Sequence, residues 1–161
     1  MSEFKLNRTR VLLIILALAV LAGIIIGVRA LVTFINYKSD ISKIEKRYPD
    51  AVITASGLRY IIYEEGSGPK PIAGRKVNVR YIGSLLNGRE FDNNYNEQYP
   101  LEFEAGIGNA IKGFDEAVMD MRENEKRLVI IPPELGYGKR RAGTIPRNSF
   151  LLFEMELLMI K

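Results

Sequence analysis

Cysteine and histidine are both absent from this chain of 161 residues. Without cysteine there is no disulfide, no thiolate metal site, no thiol nucleophile and no lipid-bearing N-terminal cysteine of the bacterial lipoprotein kind. Without histidine the commonest general base and the commonest zinc ligand are gone, and with them any Ser-His-Asp arrangement. Whatever reaction the chain supports proceeds without imidazole or thiol chemistry. A count of zero cysteines suits an oxidising compartment as well as a reducing one, so it assigns neither.

A uniform excess of positive charge is also missing. The pI of about 9.3 suggests a nucleic-acid partner until the charges are placed along the chain. Residues 1–48 carry eight basic and three acidic residues, whereas residues 49–161 carry fifteen basic and sixteen acidic ones. The surplus sits almost wholly in the N-terminal third, and a nucleic-acid footprint belongs on the folded domain. The composition therefore argues against nucleic acid as a partner.

That N-terminal third holds a long hydrophobic run. Residues 11–28, VLLIILALAVLAGIIIGV, contain no charge or strongly polar group over eighteen positions. As a helix they span about 27 Å, close to the hydrocarbon thickness of a bilayer. Arg29 can snorkel, and ALVTFINY carries the apolar character to Tyr37, whose ring suits an interface. The run exceeds the core of a cleavable signal peptide, and Ala17-Leu18-Ala19 lies in mid-segment rather than after it, so an uncleaved signal anchor is expected. Lys5, Arg8 and Arg10 precede the span and favour an N-terminus in the cytoplasm, while Lys38, Lys43, Lys46 and Arg47 follow it and pull the other way. The leading-flank bias predicts an exported domain. Gly23 and Gly27 form a GxxxG, the pattern of a weak helix dimer face. Residues 38–52, KSDISKIEKRYPDAV, are polar and read as a short juxtamembrane stalk.

From Ile53 onward the apolar period changes to two. Leu58, Tyr60 and Ile62 share a face, as do Val77, Val79 and Tyr81, with Lys76, Asn78 and Arg80 opposite. Asn87-Gly88 marks a hairpin turn. PLEFEAG places Leu101, Phe103 and Ala105 on one side. RLVII at 127–131 is a nearly continuous apolar strand, and the closing FLLFEMELLMI sends Leu151, Phe153, Met155, Leu157 and Met159 inward. One segment breaks the pattern: in GNAIKGFDEAVMDMRE, Ile111, Phe114, Val118 and Met121 recur at helical spacing, with Asn109 as a start signal and Asp115 and Glu116 in the first turn. Gly113 within it is unfavourable by about 1 kcal/mol relative to alanine, which points to a crowded backbone. The expected architecture is α+β, an antiparallel sheet with one short helix across its apolar face.

Phosphate and metal sites are the first chemistry to test. GYGK at 136–139 resembles a phosphate-cradling loop, but a Walker pattern needs glycine at the position of Pro133 and Ser or Thr at the position of Arg140. GIGNAI and GYGKRR both lack the third glycine of GxGxxG, and no βαβ unit surrounds either. Asp115, Glu116 and Asp120 on the helix and Glu154 and Glu156 on the last strand do not form a calcium loop and read as solvated faces. No metal and no cofactor is expected.

Three separated blocks, VNVRYIGSLLNGREFDN, PLEFEAGIGNAIKGFDEAVMDM and VIIPPELGYGKRRAGTIPRNSFLLFEMELL, resemble the FKBP-type peptidyl-prolyl cis-trans isomerases in order and internal spacing. The resemblance runs from about Gly57 to the C-terminus. It implies a twisted antiparallel sheet wrapped around one short helix, with an apolar pocket between them. It places that pocket on Tyr81, Phe91, Asp92, Leu101, Ala110, Ile111, Phe114 at the floor, Tyr137, Ile145 and Phe153. It further implies that the Ile111 N–H and the Tyr137 hydroxyl hydrogen-bond ligand carbonyls, and that Asp92 holds Tyr81. The catalytic set it implies is Tyr81, Phe91, Asp92, Ile111 and Tyr137, with Leu101, Ala110, Phe114, Ile145 and Phe153 binding substrate. Phe114 stands where many members have tryptophan and Leu101 where an aromatic is frequent, so this pocket is less aromatic. The loop Lys139–Thr144 is about one residue shorter than in small members and more basic. No long insertion separates Tyr81 from Tyr137, which leaves no room for an extra chaperone domain there.

An isomerase of this kind suits a chain without imidazole or thiol. The barrier to X-Pro rotation, about 18–20 kcal/mol, arises from amide resonance, and lowering it needs no nucleophile or general base. The expected organisation is a cytoplasmic tail at 1–10, a transmembrane signal anchor at 11–37, a stalk at 38–52 and the isomerase domain at 53–161. The expected location is the cytoplasmic membrane with the domain on its extracytoplasmic side. The expected partners are proline-containing unfolded or nascent polypeptides and the membrane. Two other readings share the fold: a proline-peptide binding module with little turnover, and a membrane-tethered holdase.

Overall fold

A computed structural model describes residues 8–161. Lys5, with the rest of residues 1–7 of the expected cytoplasmic tail, lies outside the described residues. The chain forms two units, one ending at Ile41 and one running Ser42–Lys161.

In the first unit, helix α1 (Arg8–Arg47) begins and continues without a break past Arg29. At 40 residues it is roughly 60 Å long. Leucine, alanine and isoleucine dominate it, and the large apolar side chains from Val11 to Ile35 are exposed. A helix apolar on every side is stable only where something other than water surrounds it. It is long and apolar enough to cross a membrane. Gly23 and Gly27 lie on open surface, since a Cβ at either meets nothing within 4 Å.

The second unit takes in the last turns of α1, which the sequence reading assigned to a stalk. Ile44 is fully buried there, and Glu45 pairs with Arg59 at 3.6 Å. Seven strands follow, namely β1 (Val52–Ile53), β2 (Arg59–Glu64), β3 (Lys76–Leu85), β4 (Glu90–Asn93), β5 (Leu101–Glu104), β6 (Glu125–Ile131) and β7 (Leu151–Ile160). All pairings are antiparallel, in the order β1-β2-β6-β7-β3-β4, with β5 also on β3. Helix α2 (Lys112–Asp120) packs on one face, where Phe114, Ala117, Val118 and Met121 join Val77, Val79, Val129, Ile131, Met155 and Leu157 in the core. A Cβ on Gly113 would lie 2.5 Å from Ile131 Cγ2, so the glycine is required by close approach of helix to sheet.

The β6 run is apolar without alternation because both faces are covered: Val129 and Ile131 enter the core, and Leu128 and Ile130 are buried on the other side. Arg127 is buried with Glu125, contacts it directly, reaches Asp120 at 3.1 Å, and lies 4.5 Å over the Tyr60 ring. Three pattern readings need correction. Met159 is exposed, because β7 bulges between the pairs Asn78↔Met159 and Val79↔Leu157. One extra residue inverts the alternation, so Ile160 opposite Val77 turns inward instead. Asn109 does not start α2; the N-cap is Ile111, without a side-chain cap. Asp115 is not on a solvated face either. It is buried, and its two carboxylate oxygens accept the N–H groups of Gly106 and Gly108 at 2.6 and 3.0 Å.

Candidate active site

Between α2 and the sheet lies a cleft of about 340 Å³ lined by Tyr81, Phe91, Asp92, Leu101, Ala110, Ile111, Phe114, Tyr137, Ala142, Ile145 and Phe153. The ten residues implied by the resemblance are therefore brought together, with Ala142 in addition. Tyr81 comes from β3, Phe91 and Asp92 from β4, Leu101 from the start of β5, and Phe153 from β7. Ala110 and Ile111 immediately precede α2, and Phe114 occupies its first turn. Tyr137, Ala142 and Ile145 belong to the segment between the 3-10 turn Pro133–Leu135 and β7.

The floor is an edge-to-face aromatic cluster. Phe114 stands 5.4 Å from Tyr81 and 5.3 Å from Phe153, both at 82°. Phe153 is in turn 5.7 Å from Tyr81 and 5.6 Å from Phe91. Phe103, read as core, packs behind at 5.8 Å from Phe114. Such pairs are worth about 0.5–1.5 kcal/mol each beyond area burial. Four rings joined by edge-to-face contacts at 66–83° brace one another's orientation. Gly83 in β3 makes the cluster possible: a Cβ there would lie 2.7 Å from Phe91 and 3.0 Å from Phe153. The sequence reading passed over this glycine, although an isolated glycine within a strand pattern is a sign of close approach.

Polar groups are few and specific. The Tyr81 hydroxyl donates to Asp92 Oδ2 at 2.7 Å. Burial, reinforced by that hydrogen bond and the Asp92 charge, pushes the Tyr81 phenol well above the ordinary tyrosine range. It therefore stays protonated as a donor. Asn94, also overlooked in the sequence, is buried and holds Tyr81 in place. Its Oδ1 accepts the Tyr81 N–H at 2.7 Å, and its Nδ2 donates to the Val79 carbonyl at 2.9 Å. Arg80 clamps the loop beyond it by donating to the carbonyls of Asn94, Glu97 and Tyr99. Against these satisfied groups, several donors on lining residues are unused among the described residues, the Ile111 N–H and the Tyr137 hydroxyl among them. The Ile111 carbonyl, by contrast, accepts from both Phe114 and Asp115 at 3.0 Å.

The far wall is shaped by backbone turns. Gly138 adopts φ +58°, accessible to glycine at no steric cost, and lets the chain reverse directly after Tyr137. Ala142 and Ile145 pair across a tight turn, with N–H···O distances of 3.2 and 2.8 Å, so both lining side chains sit at the base of a small hairpin.

Comparisons with known proteins agree on one family. The family model for FKBP-type peptidyl-prolyl cis-trans isomerase matches residues 68–158. FK506-binding protein 2 of Dictyostelium discoideum is 48% identical over 92 residues, 56% of this chain and 69% of that protein. FK506-binding protein of Neisseria meningitidis serogroup A is 43% identical over 98 residues, 60% of this chain and 90% of that protein. Among solved structures, FkpA from Escherichia coli is similar with a TM-score of 0.72 and 32% identity, covering 98% of this chain and 74% of that one.

Proposed function

This chain belongs to the FKBP-type peptidyl-prolyl cis-trans isomerases, and on that premise we propose that the cleft between α2 and the sheet is where it turns X-Pro bonds. One observation carries the assignment: among the described residues the apolar cleft retains unused donors, including the Ile111 N–H and the Tyr137 hydroxyl. A buried donor without a partner costs about 1–3 kcal/mol once a ligand excludes water, unless that ligand supplies an acceptor. Peptide carbonyls on either side of a proline are such acceptors, and a proline ring has no N–H that would need a partner of its own.

The mechanism follows from the amide. Rotation through 90° removes C–N double-bond character, and the nitrogen becomes pyramidal and the group less dipolar. A dry aromatic floor favours that state over the planar, dipolar ground state, while the two donors fix flanking carbonyls so that one side of the bond is held as the other turns. Every 1.36 kcal/mol of such preference is tenfold in rate. Tyr81 and Asp92 act together: Asp92 orients the phenol, and the rigid Tyr81–Phe114–Phe153 cluster keeps the floor from collapsing onto itself. Phe91, Leu101, Ala110 and Ile145 supply apolar walls.

We assign α1 as an uncleaved membrane anchor spanning residues 11–37, with the isomerase on the extracytoplasmic side acting on exported chains. The exposed apolar surface of α1 and the basic residues ahead of it support this reading. Gly23 and Gly27, both on open surface, would form the contact of any anchor dimer. Two experiments test the proposal. With the full chain in neutral-lipid nanodiscs, Phe91→Ala is expected to bring the cis-to-trans rate of an X-Pro peptide down by at least tenfold; wild-type activity in Phe91→Ala refutes the cleft. A C-terminal topology reporter active only in the cytoplasm refutes the membrane orientation.

A further inference from the structure

The basic residues Lys139, Arg140 and Arg141 play no part in the rotation itself, yet they run directly into Ala142, which lines the cleft. All three are exposed, as are Arg89 and Arg147. Lys139, Arg140 and Arg141 lead into the hairpin closed by Ala142 and Ile145, and Arg147 follows it, in the same segment as Tyr137. Arg89 reaches from the β3–β4 turn to the same hairpin, donating from Nη2 to the Thr144 carbonyl at 2.5 Å, and Arg141 donates from Nε to the Gly143 carbonyl at 3.2 Å. A carbonyl fixes a guanidinium in place without cancelling its charge.

Among the described residues none of these five cations pairs with a carboxylate, whereas Lys70, Lys76, Lys126, Arg127 and Lys161 each do. The neighbouring carboxylates Glu90 and Glu134 are exposed and form no ion pair with them. In a domain whose charges nearly balance overall, this is a local concentration of one sign, and like charges held together repel. An anion supplied from outside relieves that repulsion.

We infer that this cationic wall makes the enzyme select prolines flanked within a few residues by Asp or Glu. The inference rests on the cleft being the catalytic site. The placement favours a peptide over an anionic bilayer surface, because the charges adjoin the lining residues Ala142 and Ile145 and two of the arginines are pinned to that hairpin. Rim charges of this kind act chiefly on encounter and are screened by salt. The expected preference in kcat/KM for a Glu-flanked over a Lys-flanked X-Pro peptide is roughly three- to tenfold at low salt, shrinking towards unity near about 0.5 M.

The test uses the full chain in phosphatidylcholine nanodiscs and three peptides that share one X-Pro core and carry Glu, Ala or Lys beside it. Wild type is expected to rank them Glu, Ala, Lys. The triple change Lys139→Gln, Arg140→Gln, Arg141→Gln is expected to level the series while the Ala peptide stays within twofold of wild type. Arg140→Glu alone, at an exposed position, is expected to lower the Glu-to-Lys ratio in the same direction. A wild-type ratio of one, or a ratio that neither variant moves, overturns the inference. So does a hairpin that phosphatidylserine nanodiscs shield from trypsin while the peptide ratio is equal in wild type and triple variant, since the cations then face a bilayer. Failure of the cleft assignment looks different: Phe91→Ala then leaves all three rates unchanged.

Discussion

Gly83→Ala isolates the packing on which the cleft depends. Gly83 lies opposite Asp92 on β4 and Phe153 on β7, and an added Cβ would stand 2.7 and 2.8 Å from two atoms of the Phe91 ring and 3.0 Å from Phe153. Ordinary van der Waals contact begins near 3.4 Å. Phe91 must therefore withdraw by about 0.7 Å, and it cannot do so freely, because it stands edge-on to Phe153 at 5.6 Å. Overpacking of this kind destabilises by about 1–3 kcal/mol. For a domain of this size that lowers Tm by roughly 4–12 °C, read from the near-ultraviolet dichroism of its tyrosines. The effect on rate should be larger than stability alone explains, because sub-ångström misplacement of a lining group reduces kcat/KM by roughly 10- to 100-fold. Val118→Ala supplies the contrast. Val118 is fully buried in the same core but does not line the cleft, so its loss should destabilise by about 2 kcal/mol with little change in kcat/KM below Tm. If Gly83→Ala retains wild-type kcat/KM, or loses no more of it than Val118→Ala at equal fraction folded, the rings do not position the substrate as described.

Three further outcomes follow from the polar groups. Tyr137→Phe should lower kcat/KM by about three- to tenfold, one hydrogen bond's worth, yet leave Tm unchanged because its hydroxyl has no partner among the described residues; a matching fall in Tm contradicts this. Tyr81→Phe removes a donor that is satisfied and should destabilise by about 1 kcal/mol, the low end for a charged acceptor because Asp92 is exposed. The folded-state pKa of Tyr81 is raised, so the neutral phenol is the stabilised form. That difference between wild type and variant is full below the unfolded tyrosine value near about 10 and disappears as pH rises from there through the folded value. Denaturation at pH 7 and at high pH measures it, and a difference that grows with alkalinity refutes the sign. Asn94→Ala should destabilise by about 2–4 kcal/mol, since it strands the Tyr81 N–H and the Val79 carbonyl, both paired to it now, and denaturant midpoints report it.

Much of this fold is legible in the sequence for a physical reason. Where one face of a strand is buried, alternation is enforced, and Val77, Val79, Phe153 and Met155 declare themselves. The readings that miss share a different cause, namely dependence on a partner distant in sequence. Met159 points outward because a bulge in β7 shifts its register against β3, and nothing near Met159 announces that. Asp115 resembles a solvated first-turn carboxylate until the 106–108 loop folds back onto it. Asn94 resembles a turn residue until β3 arrives to use both ends of its amide.

The cleft divides along the same line. Its lining residues come from six separated segments, and no local periodicity in any of them marks a common destination. Resemblance to a family supplied that destination, and the geometry supplies what resemblance cannot, which is the state of each polar group. Tyr81 and Tyr137 are the same residue type in the same cleft, one phenol engaged by Asp92 and the other unused among the described residues. An engaged hydroxyl maintains the shape of a site, and an unused one is available to a ligand. That asymmetry predicts opposite signatures on removal, stability for Tyr81 and rate for Tyr137. A catalyst that has neither imidazole nor thiol depends on keeping those two duties on separate side chains.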